Sequence, residues 1–158
     1  MGQVPSPRIE PLGGNRYRLI EEYIYEWTKD GVRYKLRVPV GFETDLASIP
    51  RLLWFLISPF DLGAATVPHD WLYHHQGNLP RDSHSKSVNG KWVDVGVRWT
   101  RRSADRLLGR IMREARVSRW RRRLAFCAVW FLGWLAWKKL GRHGMNPIGT
   151  NGHLLPTG

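Results

Sequence analysis

A histidine, an aspartate and a tyrosine stand at positions 69, 70 and 73 of the stretch DLGAATVPHDWLYHHQ, residues 61–76. On a helix His69 and Tyr73 fall on one face, with Asp70 and His74 on the face beside it. An imidazole beside a carboxylate and a phenol can take a proton from water and pass it on. The same residues also suit a plain amphipathic helix with one half-buried histidine. A second stretch, Thr100 to Val117, bears on that choice. Its apolar residues Ala104, Leu107, Leu108, Ile111, Met112 and Ala115 recur at the spacing of one helical stripe. Asp105 lies at the edge of the stripe beside Met112, while Arg102, Arg106, Arg110 and Arg113 cover the opposite face. A carboxylate leaning toward a core needs a partner. His69 is one candidate and Arg101 is the other.

His-Asp, then Tyr four positions after the histidine, then a later helix with an Ala104-Asp105 step, resembles the secreted phospholipase A2 superfamily. The likeness is greatest to its disulfide-free viral branch, found in parvovirus capsid proteins. The resemblance implies that His69 is the general base activating water and that Asp105 orients it. It further implies that Tyr73 hydrogen-bonds Asp105, that Asp70 binds calcium, and that the substrate is a membrane phospholipid ester. A longer resemblance starts at Pro39. The run PVGFETDLASIPR (39–51), followed by AAxxxHDWLY and the Ala104-Asp105-Arg106 helix, resembles a bacteriophage and prophage family that is a domain of unknown function.

The Gly41 to Arg51 segment stands where the phospholipase family takes metal-coordinating carbonyls from a glycine-rich loop. Gly41 permits close backbone approach and Asp45 offers a carboxylate, so both join Asp70 as candidate calcium ligands. The family's loop carries two closely spaced glycines, and this one has Gly41 alone. The alternative is a strand-to-helix connection capped by Thr44 or Asp45. A metal phosphohydrolase with His69, Asp70, Asp45 and His74 as ligands is another reading of the same side chains.

These residues need a scaffold, and 158 residues suffice for one domain with a real core. We expect an α+β fold: an N-terminal β-hairpin packed on about three helices, with a small second hairpin between the two site helices. The boundaries are an extended arm over 1–15, a domain over 16–141 and an irregular arm over 142–158. Arg16 to Val38 alternates, with Tyr17, Leu19, Tyr23, Tyr25 and Trp27 on one face and an Asp30-Gly31 turn before Val32. Asn89-Gly90 marks the second turn, followed by Trp92, Val93, Val95 and Val97. Helices are expected over 62–76, 102–117 and 119–140, with a short buried helix or lip over Leu52 to Phe60. Pro68 is awkward there, so the helix either starts near His69 or bends just before it.

Charge is segregated along the chain. From Arg98 to Arg142 there are fourteen Lys and Arg against two Asp and Glu, whereas the residues before Arg98 hold eleven of each. A surface this basic attracts anionic lipid or, as a weaker alternative, nucleic acid through its phosphates. The apolar run Leu124 to Trp137 is too short to span a bilayer, which takes about 20 residues. Trp120, Arg121, Arg122, Arg123, Trp130, Trp134 and Trp137 fit a helix lying in a membrane interface. A core helix packed under the hairpin is the alternative. A single cysteine, Cys127, excludes an intrachain disulfide and reads as a small core residue. The MGQVPS start matches a myristoylation pattern and lacks the charged and apolar regions of a signal peptide. Synthesis in a host cytoplasm is expected, with membrane or virion association afterwards. Two functions follow as expectations: a phage-encoded phospholipase A2-like ester hydrolase, or a non-enzymatic virion or tail protein contacting other virion proteins.

Overall fold

The computed structural model describes residues 4–14, 16–45 and 59–143. The Gly41 to Arg51 segment beyond Asp45, the Leu52 to Phe60 lip as far as Ser58, the first three residues and the C-terminal arm beyond His143 lie outside those residues. The strands are β1 (Ile9–Gly13), β2 (Arg16–Leu19), β3 (Tyr23–Lys29), β4 (Val32–Val38) and β5 (Glu43–Asp45). They are followed by α1 (Pro59–His74), β6 (His84–Val88), β7 (Lys91–Asp94), α2 (Arg101–Glu114) and α3 (Arg119–His143). The fold is α+β, with two antiparallel sheets.

Both expected turns are present. Asp30 and Gly31 have φ of 51° and 76°, and Asn89 and Gly90 have 51° and 78°. Two successive left-handed residues match the twist of the strands they join. The first turn pairs β3 with β4 from Lys29↔Val32 to Tyr23↔Val38. The second pairs β6 with β7, and β6 also pairs with β4, from Tyr34↔Lys86 to Leu36↔His84. The two hairpins are therefore one sheet, in the order β3-β4-β6-β7, and the second is not a separate excursion. Strand β7 ends at Asp94, short of Val95 and Val97, and Val97 is exposed.

The alternating run from Arg16 does not continue into β3. Ile20 is 44% exposed, and β2 belongs to a second sheet of order β1-β2-β5. Glu21 is the cause: it occupies the apolar-face position between Leu19 and Tyr23, and it turns outward to pair with Arg8 at 2.7 Å. Part of the expected N-terminal arm, Ile9–Gly13, is the strand that pairs with β2.

The core lies between the β3-β4 face and the helices, with Tyr25, Leu36 and Val38 meeting Val67 and Leu72 of α1 and Leu108 and Ile111 of α2. Helix α2 starts at a capping box in which Thr100 and Ser103 satisfy each other's backbone N–H groups. Helix α3 packs on both α1 and α2.

Pro68 sits inside α1, neither at its first turn nor outside it. Proline has no N–H, so the carbonyl of Ala64 one turn earlier loses its helical donor. The buried Tyr23 hydroxyl donates to that carbonyl at 2.8 Å. One strand side chain thus satisfies the gap and ties β3 to α1 just before His69. Tyr23→Phe should cost about 1–3 kcal/mol, the usual penalty for an orphaned buried carbonyl. In a Pro68→Ala background the helical donor returns and that cost should largely vanish. Urea unfolding of the four proteins measures the difference, and an equal cost in both backgrounds would contradict the pairing.

Candidate functional site

The Asp105 side chain is the most enclosed charge of the described core, with the residue 2% exposed at the α1–α2 interface. Stripping water from a carboxylate costs several kcal/mol unless partners replace it. Three do. Tyr73 donates its hydroxyl to Oδ1 at 2.6 Å, and His69 Nε2 meets the same oxygen at 3.2 Å. Arg101, one turn earlier on α2, places Nη1 3.6 Å from Oδ2. Neither Oδ2 nor Nη1 has a closer hydrogen-bond partner, so their attraction is charge across a small gap. Burial, and then the bond to Asp105, push the Tyr73 hydroxyl well above its ordinary pKa and keep it a donor. The two sequence candidates for pairing with Asp105, His69 and Arg101, are both there.

His69 is 8% exposed, and its ring is flanked by two carboxylates. Nδ1 lies 3.7 Å from Asp70 Oδ1, on the side away from Asp105. Burial drives its pKa down, but hydrogen bonds to Asp105 and Asp70 and the charges of both outweigh that and leave it raised. A carboxylate behind Nε2 makes that nitrogen the proton carrier of the neutral ring, and Nδ1 the basic one. Sequence reasoning puts Nδ1 on Asp105 and Nε2 toward an open cleft; the ring is turned the other way, with Nε2 on Asp105 and Nδ1 toward Asp70.

Asp70 is itself held. The buried Thr44 hydroxyl on β5 donates to its Oδ2. Sequence reading placed Thr44 only as a possible cap, and no spacing signal links it to a residue twenty-six positions away. Gly41 has φ of 84° and its N–H donates to the Leu19 carbonyl at 2.8 Å, so it shapes the turn into β5. The backbone of Asp45 is opposite Arg16 of β2 in the antiparallel register. Among the described residues no group of three or more His, Cys, Asp or Glu converges as a metal site. Calcium takes about six to eight oxygens, and of the residues expected to hold it Asp70 is the one whose carboxylate stands beside His69.

Helix α3 closes the third side. A Cβ on Gly133 would lie 2.6 Å from the Tyr73 hydroxyl, which is why the smallest residue occupies that position. Trp137 meets the Tyr73 ring edge-on at 4.9 Å, and its carbonyl accepts from the Gln76 amide at 2.8 Å. Trp137, expected in the membrane group, is therefore a half-buried wall of the site. Its fellows differ: Trp120, Trp130 and Trp134 are exposed, with Leu124, Phe126 and Phe131. Arg101 and Arg102 stack over Trp130 at 5.7 and 6.0 Å, and Arg121 lies over Trp120 at 5.4 Å. Arg122 is half-buried and Arg123 exposed. Cys127, expected in the core, is exposed on the same helix. The helix is apolar nearly all round, so composition gave no sign of which face turns inward.

Residues 17–129 match the family described as "Protein of unknown function (DUF1353)", and the chain belongs to that family. His69, Asp70, Tyr73 and Asp105 all fall inside the matched segment, whereas Trp130, Phe131, Gly133, Trp134 and Trp137 lie beyond it. No curated protein and no solved structure matches the chain.

Two outcomes follow from this geometry. Gly133→Ala should destabilise the fold by about 1–3 kcal/mol, an overpacking cost, because Tyr73 is pinned between Asp105 and Trp137 and cannot yield freely. Calorimetry checks it, and an unchanged melting temperature would contradict the close approach. The raised His69 pKa also sets a pH dependence. Its contribution to stability is complete below the unfolded-state value of about 6.5 and is lost as pH rises through the folded-state value. Unfolding free energy should therefore fall across that interval in the native chain and stay flatter in His69→Gln.

Proposed function

We propose that this chain is a hydrolase of the phospholipase A2 type, with His69 as its general base, acting on an ester at an anionic lipid surface. The observation that carries the reading is the His69–Asp105–Tyr73 constellation, with Asp105 behind Nε2 and Nδ1 left basic. In the reaction, Nδ1 takes a proton from water as the water oxygen attacks the ester carbonyl. The tetrahedral intermediate then expels the alcohol oxygen, which takes the proton back from the imidazolium. Asp105 stabilises the imidazolium between those transfers, and Tyr73 holds Asp105 in place. If calcium at Asp70 serves the reaction, as the resemblance implies, chelation abolishes hydrolysis and added calcium restores it.

The exposed aromatic face of α3 supports the lipid surface as the place of action. Phe131 is 74% exposed and stands among Trp130, Trp134 and Phe126, with the arginines of 119–123 at one end. Aromatic side chains flanked by arginines suit the headgroup region. Among the described residues no helix is long and apolar enough to cross a membrane. A phage origin, with virion proteins as partners, belongs to this proposal through the motif resemblance alone.

A second reading has its own observation. A nearly enclosed histidine between two carboxylates can serve as a charged staple that fixes α1 against α2 in a non-enzymatic virion or assembly protein. Asp105→Asn separates the two. In a hydrolase it should preserve far-UV circular dichroism while hydrolysis of anionic phospholipid vesicles falls by about a thousandfold or more, since the wrong ring tautomer is favoured. Undiminished hydrolysis by that variant, or none by the native chain with and without calcium, would reject the hydrolase reading. For the surface, Phe131→Glu should stay folded and lose flotation with anionic vesicles. Equal flotation of the native chain with neutral and anionic vesicles would contradict the electrostatic part.

A further inference from the structure

Strand β7 ends its sheet, so one of its edges meets no other strand. The tight Asn89-Gly90 turn makes Val88↔Lys91 a hydrogen-bonded pair with β6. Such pairs recur at every second residue, and the Val95 N–H donates to the His84 carbonyl at 2.7 Å. The odd-numbered residues of β7 therefore bond to β6, and Trp92 and Asp94 turn their backbone groups outward. Among the described residues those groups have no partner. The opposite edge, on β3, is guarded by Arg110, which donates to the Thr28 carbonyl at 3.0 Å. Strand β7 has neither proline nor bulge, and all four of its residues are exposed.

An edge this open accepts another strand, and the sequence of β7 suits its own copy. In an antiparallel pair, residues directly opposite each other point to the same face. Two copies of one strand related by a twofold axis meet that condition only if opposed residue numbers differ by an even number. Trp92 against the partner's Asp94 meets it and forms two hydrogen-bonded pairs by symmetry, with Val93 against the partner's Val93 on the axis. Asp94 against the partner's Asp94 would oppose like charges. Trp92 against the partner's Trp92 would leave Asp94 beyond the strand it should pair with.

The side chains favour the same register. On the outer face Lys35 Nζ lies 4.3 Å from the Trp92 ring centroid. Among the described residues Lys35 meets no carboxylate and Asp94 meets no cation. Within one chain Ser85 stands between them, opposite Lys35 on one side and Asp94 on the other. Across the axis the partner's Asp94 comes against Trp92 and the Lys35 that covers it, an opposite-charge contact made twice. On the inner face Val93, 46% exposed, is covered by its own copy.

We infer that β7 is the interface of a twofold dimer, in which two four-stranded sheets join edge to edge with Val93 on the axis. The strand shares no residue with the His69–Asp105 pair, so the inference stands apart from the hydrolase reading. Four residues a side make a small contact, and the dimer dissociates on dilution.

The test is disulfide trapping of the full chain in a Cys127→Ser background, which removes the exposed native thiol. Val93→Cys should give a covalent dimer under mild oxidation, because a non-hydrogen-bonded pair sets its Cα atoms about 4.5 Å apart. Trp92→Cys should not, because its copy lies about 7 Å along the strand as well as one strand across. Sedimentation velocity of the native chain should show monomer passing to dimer as concentration rises. Lys35→Glu should leave the chain folded by circular dichroism and monomeric, and adding Asp94→Lys to it should restore the dimer. A monomer at every concentration, a dimer indifferent to Lys35→Glu, or trapping by Trp92→Cys equal to that by Val93→Cys would each overturn the inference.

Discussion

The carboxylate of Asp105 is a charge held inside a helix–helix interface, and the surrounding structure is arranged so that it can stay there. An apolar residue of similar size would pack α1 against α2 at least as well, because a buried ion pair seldom adds net stability. With Asp105 in place, the neighbours have little freedom. Tyr73 must come one turn after His69 so that both reach Oδ1. Arg101 must precede it by one turn on its own helix. Gly133 must lack a side chain so that α3 can close over the Tyr73 hydroxyl. Stability alone does not call for this arrangement; under the hydrolase proposal, control over one imidazole proton does.

The sheets serve the same end from the other side. Strand β3 sends Tyr23 to the carbonyl that Pro68 leaves without a donor, immediately before His69 in α1. Strand β5, in the other sheet, sends Thr44 to Asp70 immediately after it. The histidine therefore sits between two points at which a strand side chain anchors the helix. Its ring is held by Asp105 of α2 and by Asp70 and Tyr73 of its own helix, which under the hydrolase proposal limits the reorganisation needed when a proton moves.

Much of this could be read from residue types. Asp30-Gly31 and Asn89-Gly90 demand left-handed backbone and gave both hairpins. Asp105 leaned toward an apolar stripe, which required a partner on another helix, and His69 and Arg101 were the groups to hand. The split after Leu19 was also visible in Glu21, a charge on an otherwise apolar face, but alternation on either side outweighed it. Other features had no local signature. Helix α3 is apolar around most of its circumference, so Trp137 inward and Cys127 outward follow only from where α1 and α2 lie. The bonds from Thr44 to Asp70 and from Tyr23 to Ala64 join positions far apart in the chain, and side-chain periodicity says nothing about such pairs. Which ring nitrogen of His69 meets Asp105 depends on helix rotation of a few tens of degrees, finer than any pattern of residue types.

The account rests on the protonation of a single ring, and that can be observed directly. Two-bond ¹H–¹⁵N correlation spectra of the imidazole nitrogens, recorded across the pH range in which the protein is folded, assign the His69 tautomer. The account predicts titration above the ordinary histidine pKa and, beyond that point, a neutral ring with its proton on Nε2 and a bare Nδ1. A neutral ring protonated on Nδ1 would contradict it, and so would a ring that never gives up its second proton while the fold persists.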